Sequence, residues 1–136
     1  MGDSDWTTII NSAESITSSY TTPPNLNECT LEYVQIDERS TSVTLAFETS
    51  VLPSNPPPAW ADREYNTVEF FLKFTGVKEL QVVGWDFTAR DAAVTLTPFG
   101  EGVRVSVDGA GSHLAFTAEI SLLTRTRPYL SSRGSD

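Results

Sequence analysis

The sequence predicts a mainly β fold: an antiparallel meander of about seven strands, with one N-terminal amphipathic helix packed on a face or end. Three observations carry that expectation. From Cys29 onward, apolar residues recur at every second position, the period that sets one strand face on a core and the other in water. Short segments rich in Gly, Asp and Ser separate these runs, as turns require. Before them, a single stretch shows the three-to-four-residue repeat of a helix.

That stretch holds Trp6, Ile9, Ile10, Ala13, Ile16 and Tyr20, which predicts a helix over residues 5–19. Asp5 can cap it, because its carboxylate accepts the free amide hydrogens of the first turn. Thr21 and Thr22 precede Pro23 and Pro24, and a residue before proline avoids the helical region, so the helix ends there. The strand patterns follow in order. Cys29, Leu31 and Tyr33 form the first, Val43, Leu45 and Phe47 the second, and Val68, Phe70, Leu72 and Phe74 the third. Leu80, Val82 and Gly84 come after a hairpin expected near Gly76. Val94 and Leu96 make a short strand stopped by Pro98. Val103, Val105 and Val107 make the next, and Leu114, Phe116, Ala118, Ile120 and Leu122 the last. Turns are expected at Asp37–Ser42, Thr75–Lys78, Phe99–Gly102 and Asp108–Ser112. Phe71, Val83 and Trp85 fall out of phase with the core set, so the third and fourth strands are either covered on both faces or expose apolar area. Residues 1–123 form one domain in this reading. Residues 124–136, with Arg125, Arg127, Pro128 and Arg133, form a mobile tail.

A length of 136 residues and 39% hydrophobic content fit one folded domain. The net charge is −9, and residues 1–70 hold eleven acids against two bases, while residues 71–136 balance at seven of each. Such a chain repels nucleic acid and anionic lipid, so neither is an expected partner. It attracts a basic protein and speeds encounter with it; acidity also serves solubility alone. Apolar runs are too short to span a membrane. The acidic start Met1–Trp6 has no apolar signal core, and Cys29 is the single cysteine, which fits a reducing compartment. The expected location is the cytoplasm. The sequence assigns no oligomeric state.

Little here can do chemistry. His113 is the single histidine, and its neighbour Ser112 points to the opposite strand face, which argues against a nucleophilic triad. One His and one Cys do not make a zinc site with the usual ligands. The Gly109–Gly111 Gly-x-Gly lies in a hairpin turn with no helix after it, so it is not a dinucleotide loop. The carboxylates Asp37 and Glu38, or Asp62 and Glu64, sit at turn and loop positions, where solvated charge is the ordinary reading. Cys29 is in phase with Leu31 and Tyr33 and reads as a small buried hydrophobe. The chain is therefore expected to be no enzyme, with no cofactor and no metal.

The stretch from Phe47 to Trp85 is the most distinctive. A loop with Pro53, Pro56, Pro57, Pro58 and Trp60 joins two strand patterns, a surface built to hold a shape. With Pro23 and Pro24, Leu31 and Glu32, and Phe47, the set Pro53, Pro57, Pro58, Trp60, Asn66, Val68, Leu72, Gly76, Val77, Gly84 and Trp85 resembles the immunity protein 50 family of bacterial polymorphic toxin systems. The likeness spans roughly Pro23 to Trp85. Tyr65 departs from the pattern, which has a small residue before the Asn. The resemblance implies an all-β protein that binds and neutralises a cognate toxin domain; the one-sided acidity adds the expectation of stoichiometric occlusion of a basic toxin, a nuclease for example. The candidate contact residues are the acids Glu28, Glu32, Asp37, Glu38, Glu48, Asp62, Glu64 and Glu69, with Trp60 as an aromatic anchor; the competing readings are an ordinary solvated face and a Trp60 folded back on the core. Glu32 and Glu48 alternate away from core residues and should share an outer sheet face. The alternative function is a small-molecule or carbohydrate-binding β module, with Phe71 and Trp85 lining its pocket.

Overall fold

The computed structural model describes residues 6–85 and 90–130. Strands dominate, in two antiparallel sheets. β1 (Thr30–Asp37), β2 (Ser42–Thr49), β3 (Thr67–Thr75), β4 (Lys78–Val83), β5 (Arg90–Asp91), β6 (Ala93–Phe99), β7 (Gly102–Gly109), β8 (Ser112–Ala118) and β9 (Ile120–Tyr129) follow in chain order. One sheet has the order β5-β1-β2-β3-β9 and the other β4-β8-β7-β6. The mainly antiparallel β class is as the alternation requires. Turns at Asp37–Ser42, Phe99–Gly102 and Asp108–Ser112 do join hairpins.

The chain is not one meander. β3 pairs with β9 as far as Thr75 opposite Ile120, and β4 pairs with β8 from Lys78 opposite Thr117. The expected hairpin at Gly76 is instead a corner, where one long two-stranded ribbon passes from the first sheet into the second. Glu119 N–H donates to the Thr75 carbonyl at 2.9 Å across that corner. Gly76 bends with φ +67°, and a Cβ there would sit 2.8 Å from the Glu119 carboxylate. Side-chain alternation marks strands but not which sheet they join, so the corner was invisible to it.

The expected helix over residues 5–19 is broken. A 3-10 turn at Trp6–Thr8 and a single α-helical turn, α1 (Glu14–Thr17), replace it. Between them Asn11 bridges to β9: its N–H reaches the Ser121 carbonyl and its carbonyl accepts from Leu123 N–H. Ser12 follows with φ 61°. Strand-like bonds to β9 take the amides that a helix would use. The apolar stripe is nevertheless buried, with Trp6, Ile10, Ala13, Ile16 and Tyr20 all in the core. Asp5 lies outside the described residues.

The core has two halves. Phe47 and Phe70, on the inner face of the first sheet, meet the N-terminal segment through a stack of Trp6 on Phe70, centroids 5.3 Å apart. Phe74 meets Phe116 of the second sheet at 5.3 Å. Val103, Val105, Val107 and Leu114 complete that half. The tail expected from residue 124 is a strand through Tyr129, paired with β3 up to Thr67. Residues 131–136 lie outside those described.

Candidate functional site

The acids named from sequence divide into three groups in space. Glu32, Glu48 and Glu69 come together on the outer face of the five-stranded sheet. Glu48 lies opposite Thr30 on β1 and opposite Glu69 on β3, and Glu69 lies opposite Arg127 on β9. Glu32 is the extra residue of a β-bulge between Leu31 and Tyr33, which turns its side chain toward the others. Arg127 Nε donates to Glu69 Oε1 at 2.5 Å. The Tyr129 hydroxyl donates to Glu48 Oε2 and lies 3.3 Å from Glu32 Oε2. The Arg127 guanidinium also rests 5.7 Å from the Tyr129 ring centroid.

This is not the solvated acidic face that alternation suggested. Glu48 is 7% exposed and Glu69 5%, so both offer little surface to a partner. Burial, followed by hydrogen bonds and charge from Glu69 and Glu48, pushes the Glu32 carboxyl up to about 9. Burial also pushes Glu69 up, but hydrogen bonds from Glu32 and Arg127 and the charges of Arg127 and Arg125 outweigh it and hold Glu69 below its usual range. Three carboxylates this close cannot all ionise. Burial and the neighbouring carboxylates favour the protonated form of Glu32, and the cluster joins Glu32 to Glu69 and Glu48 through side-chain hydrogen bonds. Its role is to fix four strands of the sheet to one another.

A pH dependence follows. A raised carboxyl favours the folded state below its ordinary value of 4.5 and erodes stability as pH climbs toward about 9. Glu32→Gln, which mimics the protonated form, should therefore melt higher than the wild type at pH 9 and alike near pH 4. After discounting for partial exposure, the gain is about 1 kcal/mol, or roughly 3–5 °C. A Tm difference equal at both pH values would remove the shared proton from the account.

Of the other acids, Glu28, Glu38, Asp62 and Glu64 are exposed and Asp37 is half-buried. Glu28, Asp62 and Glu64 lie at the end of the sheet where β1 and β3 begin, with Glu28 on a 3-10 turn just before β1. Asp37 and Glu38 lie at the opposite end, in the β1–β2 turn, about 20 Å away along the strands. They form two separate acidic ends rather than one surface.

Trp60 is no exposed anchor. It is 8% exposed, in a 3-10 turn at Pro58–Trp60 whose entry Pro57 fixes. The departing residue Tyr65 packs edge-on against it, centroids 5.5 Å apart. The proline loop is tied to the N-terminal segment, with Asn55 N–H donating to the Ser19 carbonyl and Asn55 Nδ2 to that of Ser18. The loop closes one end of the core.

His113 Nδ1 lies 2.6 Å from Asp108 Oδ1, and Ser106 Oγ donates to the same carboxylate at 3.1 Å. The hydroxyl is thus on the acid and not on the imidazole, which is not the order of a nucleophilic triad. His113 and Ser106 hold the Asp108 carboxyl below its usual range. Burial pushes the Cys29 thiol up to about 12, so it is a packed thiol and no nucleophile. Among the described residues no group of three or more His, Cys, Asp or Glu is arranged to hold a metal. Phe71 faces outward against Tyr33, centroids 6.3 Å apart, whereas Trp85 packs on the core; the two do not line a common pocket.

Sequence reasoning missed Arg127 and Tyr129 because it assigned them to a tail. The signal was present: Arg125, Arg127 and Tyr129 alternate with Thr124, Thr126 and Pro128, the same period of two, in polar form.

The family model described as Immunity protein 50 matches residues 12–129. The chain belongs to the immunity protein 50 family. The immunity protein 50 match takes in the whole glutamate cluster together with Arg127 and Tyr129, and it extends the likeness well past Trp85. Among curated proteins none matches. A crystal structure of an uncharacterized protein from Neisseria gonorrhoeae is similar over 74% of this chain and 91% of that one, at 11% identity and a TM-score of 0.44.

Proposed function

We propose that this protein is the immunity partner of a toxin domain, which it binds one-to-one and blocks by occlusion, without catalysis of its own. The family match over residues 12–129 carries this reading. The charge supports a basic partner, a nuclease being one such class: the protein carries −9 overall, and the buried glutamates leave Glu28, Asp62, Glu64 and Glu38 exposed at the two ends of the sheet. Exposed charge of this kind speeds encounter more than it deepens affinity. The setting that fits is the cytoplasm of a cell that makes a polymorphic toxin.

The test is co-expression with the toxin domain encoded beside this gene, with purification at low and moderate salt. Protection of the cell and a one-to-one complex whose association slows with salt are the expected results. A toxin domain that kills equally with and without this protein would sink the proposal. An association rate indifferent to salt would remove the basic partner only.

A further inference from the structure

β4 is built unlike the other outer strands. β9 carries Arg125, Arg127 and Pro128, and β6 carries Pro98 near its end; charge and proline are what keep open edges from pairing with other chains. β5 has two residues. β4 instead ends in Gln81, Val82 and Val83, with Val82 43% and Val83 61% exposed. A bulge guards only its start, where the register slips between Lys78 and Gln81 and Glu79 takes φ 58°.

Beside that bulge lies a cavity of about 230 Å³ between the end of β1, the β1–β2 turn and the start of β4. Ile36, Val43, Val77 and Leu80 give it an apolar lining, and Asp37, Glu38 and Glu79 give it a carboxylate rim. Among the described residues Lys78 is the single cation on that rim, and its ammonium is 3.8 Å from Glu119. Small-molecule sites run to about 300–1,000 Å³, so this one suits a single long side chain. An apolar lining under a negative rim matches the shape of Lys or Arg, a hydrocarbon stem with a charged head.

We propose that β4 is the docking edge for an extended segment of the toxin domain, which adds as a strand beside Gln81–Val83 and sets a basic side chain in the cavity. This rests on the toxin-binding reading above. Main-chain hydrogen bonds along an open edge supply affinity in this mode, and side-chain pockets supply selectivity. The basic side chain lays its stem on Ile36, Val77 and Leu80 and its head among Asp37, Glu38 and Glu79. A second copy of this chain is a poor occupant, because a net charge of −9 on each copy opposes their approach.

The experiment measures binding of the wild type, Val83→Lys, Glu38→Lys and a charge-matched control, Glu14→Lys on α1 beside β9, to the toxin domain encoded beside the gene. All three substitutions are at exposed positions, and matching Tm values verify the folds. The expected result is a Kd raised about tenfold or more by Val83→Lys and by Glu38→Lys, with about threefold or less for Glu14→Lys. Hydrogen exchange at the Gln81–Val83 amides should slow in the complex. Wild-type affinity in both groove variants, equal damage from Glu14→Lys, or unchanged exchange in β4 would overturn the docking edge while leaving toxin binding intact. Failure of the wild type to bind would overturn both. A wild-type dimer that Val83→Lys dissociates would assign the edge to a second copy instead.

Discussion

Phe70→Ala should destabilise the protein by about 3–5 kcal/mol, the range for removing a fully buried aromatic ring. Phe70 has no exposed surface. Its ring lies between Trp6, nearly parallel at 5.3 Å, and Phe47 at 5.5 Å. The substitution therefore empties a three-ring stack and loosens the N-terminal segment that Trp6 anchors. Most domains hold only about 5–15 kcal/mol in total, so the variant should stand close to unfolding at growth temperature. Urea denaturation would measure it, with Phe70→Leu as a milder comparison. A loss under about 1.5 kcal/mol would mean that the segment collapses into the gap or does not depend on the stack. The same experiment bears on the proline loop, since the Tyr20 hydroxyl donates to the Val51 carbonyl at 2.7 Å and Tyr20 belongs to the segment that would be released.

Arg127→Ala should cost about 2–3 kcal/mol near pH 8. Breaking a buried ion pair typically costs more, but Arg127 is half exposed and solvent replaces part of its effect. Removing it leaves Glu69 buried beside Glu48 with no cation bonded to it. The sign of the pH dependence is set by Glu69, whose carboxyl lies below its usual range. A depressed carboxyl contributes stability above its ordinary pKa and loses it as pH falls through the folded value. The gap between variant and wild type should thus be widest at pH 7–8 and narrow toward pH 4, where the freed glutamate takes a proton. Arg127→Ala combined with Glu69→Gln should recover part of the loss. A gap independent of pH would show that Arg127 matters through its packing on the Tyr129 ring rather than through its charge.

Both residues lie on strands whose existence the sequence announced to different degrees. Val43, Leu45 and Phe47, and Val68 to Phe74, alternate so regularly that strand, inner face and core membership were all legible. The same alternation placed Glu32 and Glu48 on one outer face. It did not reveal that they are covered, because the cover comes from Tyr129, nearly a hundred residues along the chain from Glu32. Nor did it reveal the bulge that turns Glu32 inward to its neighbours.

Composition and periodicity by themselves determined the mainly β class, the buried thiol of Cys29, the acidic first half and the proline-braced loop before Trp60. Each depends on residues close together in the chain, where a period of two or a run of prolines states its own geometry. Only the tertiary structure decided the corner at Gly76, the broken N-terminal helix, the burial of Trp60 and the buried glutamate cluster. Each of these depends on which distant strand arrives alongside. Asn11 leaves the helix because β9 offers its backbone, and Glu69 is held charged because Arg127 lies across from it. Pairing between strands is set by total burial and hydrogen bonding across the whole chain, and no local pattern encodes it.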